Sequence, residues 1–124
     1  MIAERIKKLH FLSQEIDDRK EYTKRLEAKA YYPTNGENRS LATNIIGYME
    51  MIAKLKNDID VLQHELEFLQ EALNTLNNPE REVMLNRFWL GLTVEETAKK
   101  IHYSSKTVKN MTKKAFTSLE KRFS

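Results

Sequence analysis

Inward positions in the first part of the chain fall at Ile2, Ile6, Leu9, Leu12, Ile16, Thr23, Leu26 and Ala30, largely at the three- and four-residue steps of one helical face. The pattern predicts a helix over residues 2–30, about 40 Å long at 1.5 Å per residue. Arg19 falls where that face should be apolar, so the seam is imperfect. Residues 31–43, YYPTNGENRSLAT, break the period through Pro33, Asn35, Gly36 and Asn38 and read as an exposed connector that reverses the chain. Beyond it, Ile45, Tyr48, Ile52, Leu55, Ile59, Leu62, Leu66, Leu69, Leu73 and Leu76 alternate steps of three and four without interruption. This is a heptad a/d seam, with Ile frequent at a and Leu at most d positions.

A seam of that length needs a facing helix. Either the first helix folds back as an antiparallel hairpin, or a second copy of the chain supplies the face, and both hold if two hairpins associate. The dimer reading assigns Ile52, Leu55, Ile59, Leu62, Leu66 and Leu69 to oligomerisation.

The period changes at Asn77-Asn78-Pro79. Asn78 is a candidate N-cap and Pro79 suits the first helical position, with Glu80 and Glu82 at the positive helix start. Val83, Met84, Leu85, Phe88 and Leu90 supply apolar surface, Trp89 lies at the edge of that core, and Gly91 is placed to end the helix in a left-handed conformation. Thr93 and Glu96 have capping-box spacing, after which Val94, Thr97, Ala98 and Ile101 face inward. A turn at His102-Tyr103 leads to Ser104, the N-cap of a last helix whose Val108, Met111, Ala115, Leu119 and Phe123 share one face. The opposite face carries Lys106, Lys109, Asn110, Lys113 and Thr117. Short helices joined by tight turns, the last one basic on one side and apolar on the other, are the pattern of a helix-turn-helix reader of the major groove. The expected architecture is therefore all-α: a helical hairpin or coiled coil over residues 1–77, with its loop at about 31–43, and a helix-turn-helix over 78–124.

Charge sharpens this division. Residues 79–124 carry ten Lys/Arg against five Glu, a balance of +5, whereas residues 1–78 carry 11 basic and 13 acidic side chains, a balance of −2. A basic segment on a mildly acidic remainder points to a polyanion as the partner of the C-terminal part. Lys, Asn and Thr are residue types that reach phosphates and base edges, and Ser104 and Ser105 can contact the backbone. The candidate DNA-contacting set is Ser104, Ser105, Lys106, Thr107, Lys109, Asn110, Lys113 and Lys114. The absence of Cys excludes disulfides and thiolate zinc sites. His10, His64 and His102 are scattered, and neither a glycine-rich phosphate loop nor an isolated carboxylate pair stands out, so no enzyme, metal site or cofactor is expected. AERIKKLHF after Met1 is too polar for a secretory segment, and no apolar run approaches the roughly 20 residues of a membrane span. A cytoplasmic protein with no membrane partner is the expectation.

The stretch LNNPEREVMLNRFWLGLTVEETAKKIHYSSKTVKNMTKKAFTSLEKR resembles region four of sigma-70 family factors. Pro79, Arg81-Glu82, Leu85, Arg87-Phe88, Gly91, Glu95-Glu96, Ala98, the Tyr103-Ser104 turn, Thr107-Val108 and Ala115 carry the likeness. It is most similar to phage-encoded region-four-like regulators of the ArpU/RinA type, in which a helical N-terminal part precedes the reader. The likeness covers residues 74–122 well and the whole chain loosely. It implies a regulator of phage late or packaging genes in a bacterial host, binding double-stranded promoter or operator DNA and touching RNA polymerase; the homodimer expectation comes from the heptad seam. Region four reads the promoter −35 element with the first turns of its last helix, which places reading here on Ser105, Lys106, Lys109 and Asn110. Sigma factors favour Arg, Glu and Gln at those positions, so the hexamer they read is not implied. No counterpart of sigma regions two and three accompanies the stretch, and promoter melting is not expected of it. The competing class is an adaptor that keeps the region-four shape to bind RNA polymerase or a sigma factor without reading DNA. Such a surface would favour apolar anchors such as Trp89 and Tyr103 over a polar stripe.

Overall fold

The computed structural model describes residues 1–31 and 38–123, and every regular element among them is helical. The order is α1 (Ile2–Lys7), α2 (Leu9–Tyr31), α3 (Asn38–Asn74), α4 (Asn78–Met84), a π-helical turn (Leu85–Trp89), α5 (Val94–Ile101) and α6 (Ser105–Arg122). The chain is all-α, as the periodicity requires. Two compact units result, one formed by Met1–Ser13 with Glu65–Ser124 and the other by Gln14–His64.

Three boundaries differ from the sequence pattern. The helix expected over 2–30 is interrupted at Lys8, whose N–H turns back to the Arg5 carbonyl at 3.2 Å. Neither Pro nor Gly marks this break; it separates α1, which packs on α6, from the longer α2. The connector expected over 31–43 gives up its last part, since α3 already begins at Asn38 and α2 runs through Tyr31. Residues 32–37, with Pro33, Asn35 and Gly36, lie outside the described residues. The N-cap of α4 is Asn77 rather than Asn78: Asn77 Oδ1 accepts the Glu80 N–H at 3.0 Å, and Asn78 instead accepts from the Arg81 guanidinium.

In the Gln14–His64 unit, the α2 and α3 segments pair antiparallel. Leu26 and Ala30 pack with Ile52, flanked by Tyr48 and Leu55. Arg19, the misfit in the seam, finds carboxylates: Glu15 on its own helix at 2.8 Å and Asp58 across the pair at 3.5 Å. Buried Thr23 sends its hydroxyl to the Arg19 carbonyl at 2.7 Å. Of the residues assigned to oligomerisation, Ile52, Ile59, Leu66 and Leu69 are buried within one chain, and Leu55 and Leu62 are partly buried. Four of the six positions are therefore buried by the chain's own residues.

In the other unit, Ile2, Ile6 and Leu9 join Leu66, Leu69, Leu73 and Leu76, Val83 and Met84, and the inner face of α6 as buried apolar positions. Val83, Ala98 and Val108 form a core cluster across α4, α5 and α6, with Val94, Ile101 and Met111 against it. Leu90 departs from expectation: it is 46% exposed, because the π-helical turn rotates it away from the core.

Candidate nucleic-acid interface

Each end of the two helices that make the turn is fixed by its own sequence. Gly91 sits at φ 75°, the left-handed conformation that favours glycine. Thr93 then closes a capping box: its Oγ1 accepts the Glu96 N–H at 3.1 Å, and the Glu96 carboxylate accepts the Thr93 N–H at 2.9 Å. These bonds from Thr93, the backbone one foremost, hold the Glu96 carboxyl below the usual carboxylate range. Helix α5 ends at His102, left-handed at φ 61°, with the Tyr103 N–H returning to the Ala98 carbonyl at 3.0 Å. Ser104 caps α6, its Oγ accepting the Thr107 N–H at 3.1 Å.

The caps set the rotation of α6, and the rotation separates the candidate residues. Val108, Ala115 and Leu119 are fully buried, so Lys106, Lys109, Asn110 and Lys113 are left together on an exposed stripe. Thr107 and Lys114 are also exposed but lie about 100° further round, taking 100° per residue. The Thr107 hydroxyl is in addition held by Ser104 Oγ at 2.8 Å. Ser105 is half-buried and lines an open groove with Glu95, Glu96, Lys99, Tyr103 and Ser104. Among the described residues, none of Lys106, Lys109, Lys113 and Lys114 forms an ion pair within the chain. The first turn of α6 holds no acid that would repel a phosphate. The arrangement can donate hydrogen bonds and positive charge along one ridge, with Asn110 at its edge as a side chain able both to donate and to accept.

Two features escape the sequence reading. Lys99, on the last turn of α5, lines the same groove as Ser104 and Ser105 and extends the positive edge beyond α6. The π-helical turn is the other: Leu90 N–H bonds Leu85 O at 3.0 Å and Leu92 N–H bonds Asn86 O at 3.0 Å. Buried Asn86 donates to the Glu82 carbonyl at 2.8 Å, and the Arg87 guanidinium donates to the Leu92 carbonyl at 2.9 Å, so the irregular turn is held at both sides. No period of apolar residues signals such a turn.

Segment Met1–Ser13 buttresses this unit. Glu120 accepts the Ala3 N–H at 2.9 Å, and His10 Nδ1–H donates to the Trp89 carbonyl at 2.9 Å. The Arg5 guanidinium binds the Glu65 carboxylate with two nitrogens and lies 4.7 Å from the centre of the Phe68 ring. That hydrogen-bonded pair raises the Arg5 pKa and lowers the Glu65 pKa from their ordinary values.

Residues 67–119 match the family model described as Sigma-70, region 4. The helix-turn-helix is thus sigma region-four-like, and the match reaches back from it into the last part of α3. No curated protein and no solved structure matches the chain. Among the described residues, no helix is long and apolar enough to cross a membrane.

Proposed function

We propose that the chain is a sequence-specific DNA-binding transcription regulator that reads double-stranded promoter or operator DNA by placing α6 in the major groove. One observation carries the reading: Lys106, Lys109, Asn110 and Lys113 form an exposed stripe on a capped helix whose other face is core. The likeness to sigma-70 region four over residues 67–119 supports the same placement. In this reading Lys106, Lys109 and Lys113 neutralise phosphates or reach guanine, and Asn110 reads adenine in the bidentate geometry its amide allows. Ser104, Ser105, Thr107 and Lys114 contact the backbone at the margins. A helical part followed by the reader is the layout of ArpU/RinA-type regulators, and it supports a role at phage or prophage late or packaging genes in the cytoplasm of a bacterial host. Contact with the host RNA polymerase belongs to the same reading.

Selection of bound sites from a random duplex library, followed by titration in rising salt, tests this. Three lysines on three phosphates contribute about −2.7 to the log–log slope, at roughly −0.9 per phosphate. Enrichment of a defined site with such a slope supports the reading, and a palindromic site further supports two chains per operator. Binding to RNA polymerase with no enrichment of any duplex would replace it with the adaptor reading.

A further inference from the structure

Helix α1 does more than cover the core: its docking site places it beside the reading stripe. Ala3 meets Glu120 at 2.9 Å and Lys7 Nζ lies 5.6 Å from the centre of the Phe116 ring, so α1 runs antiparallel along the C-terminal half of α6. At 100° per residue, Phe116 and Glu120 lie within about 60° of the Lys109–Lys113 line. Advancing from Ala3 to Lys7 is therefore advancing from Glu120 towards Lys113, and Lys8 follows at the break before α2.

We propose that Lys7 and Lys8 form a second, sequence-independent phosphate-binding flank that grips the DNA backbone beside the segment α6 reads. The inference rests on the DNA-binding reading above. Packed helices lie about 8–10 Å apart axis to axis, and the major groove is about 12 Å wide. A helix alongside one seated in the groove thus lies over its phosphate rim. The charges of α1 fit that position. Arg5 is committed to Glu65, which leaves Lys7 and the exposed Lys8, and among the described residues Lys8 has no ion-pair partner. Glu4, 3.6 Å from Lys7, is the acid that opposes them; it is solvated, and among the described residues its ion pair runs along its own helix. The Glu120 carboxylate is turned to the Ala3 N–H.

The test compares the full chain with a Lys7→Ala/Lys8→Ala double variant on one selected duplex and one unrelated duplex, titrated between about 50 and 200 mM salt. The double variant should bind both duplexes more weakly, with a slope shallower by nearly two on each, at roughly 0.9 per lysine. Lys7→Arg/Lys8→Arg, which keeps charge and ring contact, should restore the parent slope; failure to restore it in a folded protein overturns the flank. A folded double variant with the parent slope and affinity also overturns the flank, while loss of binding in Lys109→Ala/Lys113→Ala keeps the major-groove reading standing. A parent chain that binds no duplex overturns both.

Discussion

Gly91 is where local conformation and tertiary packing make the same demand, and Gly91→Ala measures both. Its φ of 75° costs an L side chain about 1–2 kcal/mol. A Cβ at this position would stand 2.8 Å from His10 Cδ2 and 2.9 Å from Cγ and Nε2, well inside contact distance. The imidazole has to move, and its bond to the Trp89 carbonyl is lost, at about 0.5–1.5 kcal/mol for a net hydrogen bond. The expected destabilisation is therefore roughly 2–3 kcal/mol, or about 6–15 °C in melting temperature for a chain of this size. Thermal and chemical denaturation followed by circular dichroism, run on Gly91→Ala, His10→Ala and the pair, separate the contributions. With His10 truncated the clash disappears, so the second substitution should cost less by about 1 kcal/mol, leaving only the backbone strain. A Gly91→Ala cost below about 0.5 kcal/mol would refute the left-handed turn. Strict additivity with His10→Ala would refute the contact between the N-terminal segment and the turn.

Thr97 is fully buried and among the described residues its hydroxyl has no partner, so Thr97→Val, which keeps the shape, should stabilise the protein by about 1 kcal/mol in the same melts. Because the Glu65 pKa is lower in the folded chain than in the unfolded one, the unfolded state takes up protons first on acidification. The contribution of the Arg5–Glu65 pair is thus complete above the ordinary glutamate range near pH 4.3 and disappears as pH falls through the lowered value, and Glu65→Gln should flatten that limb of a stability-versus-pH curve. Leu69→Ala should cost about 2–5 kcal/mol, since the side chain is wholly buried within one chain. Its melting temperature should not depend on protein concentration if the seam packs within one chain, and a midpoint that rises with concentration would give the seam a role between chains.

The parts of the fold that were legible in the sequence are those fixed by nearest neighbours. The Thr93–Glu96 capping box, the Ser104 cap and the left-handed Gly91 each need only residues within four positions, and each is present. The heptad seam was legible as a helix but not in its partner, because periodicity reports that a face is buried and is silent on what covers it. The break at Lys8 and the π-helical turn at Leu85–Trp89 left no local mark. Both answer to distant contacts, Ala3 with Glu120 and His10 with Trp89, more than a hundred and nearly eighty residues apart in sequence. In the candidate interface the stripe Lys106, Lys109, Asn110 and Lys113 followed from 100° steps, whereas Lys99 did not, since the turn alone brings it to the head of α6.

These long-range contacts enlarge the unit in which the helix-turn-helix is packed. A boundary drawn at 77/78 follows the change of period, yet the compact unit holding α4 to α6 also contains Met1–Ser13 and the end of α3 from Glu65. The region-four match likewise starts at residue 67, inside α3. Cutting the chain at residue 78 would remove Leu66, Leu69, Leu73 and Leu76, along with Ile2, Ile6 and Leu9, from a unit in which all seven are buried. It would also strip Glu120 and the Trp89 carbonyl of their donors. At about 1.5–3 kcal/mol per buried Leu or Ile side chain, the loss is roughly 10–20 kcal/mol, as large as the typical 5–15 kcal/mol stability of a whole domain. The compact unit that holds the helix-turn-helix therefore draws on both ends of the chain, and α1 is one of the elements packed on α6.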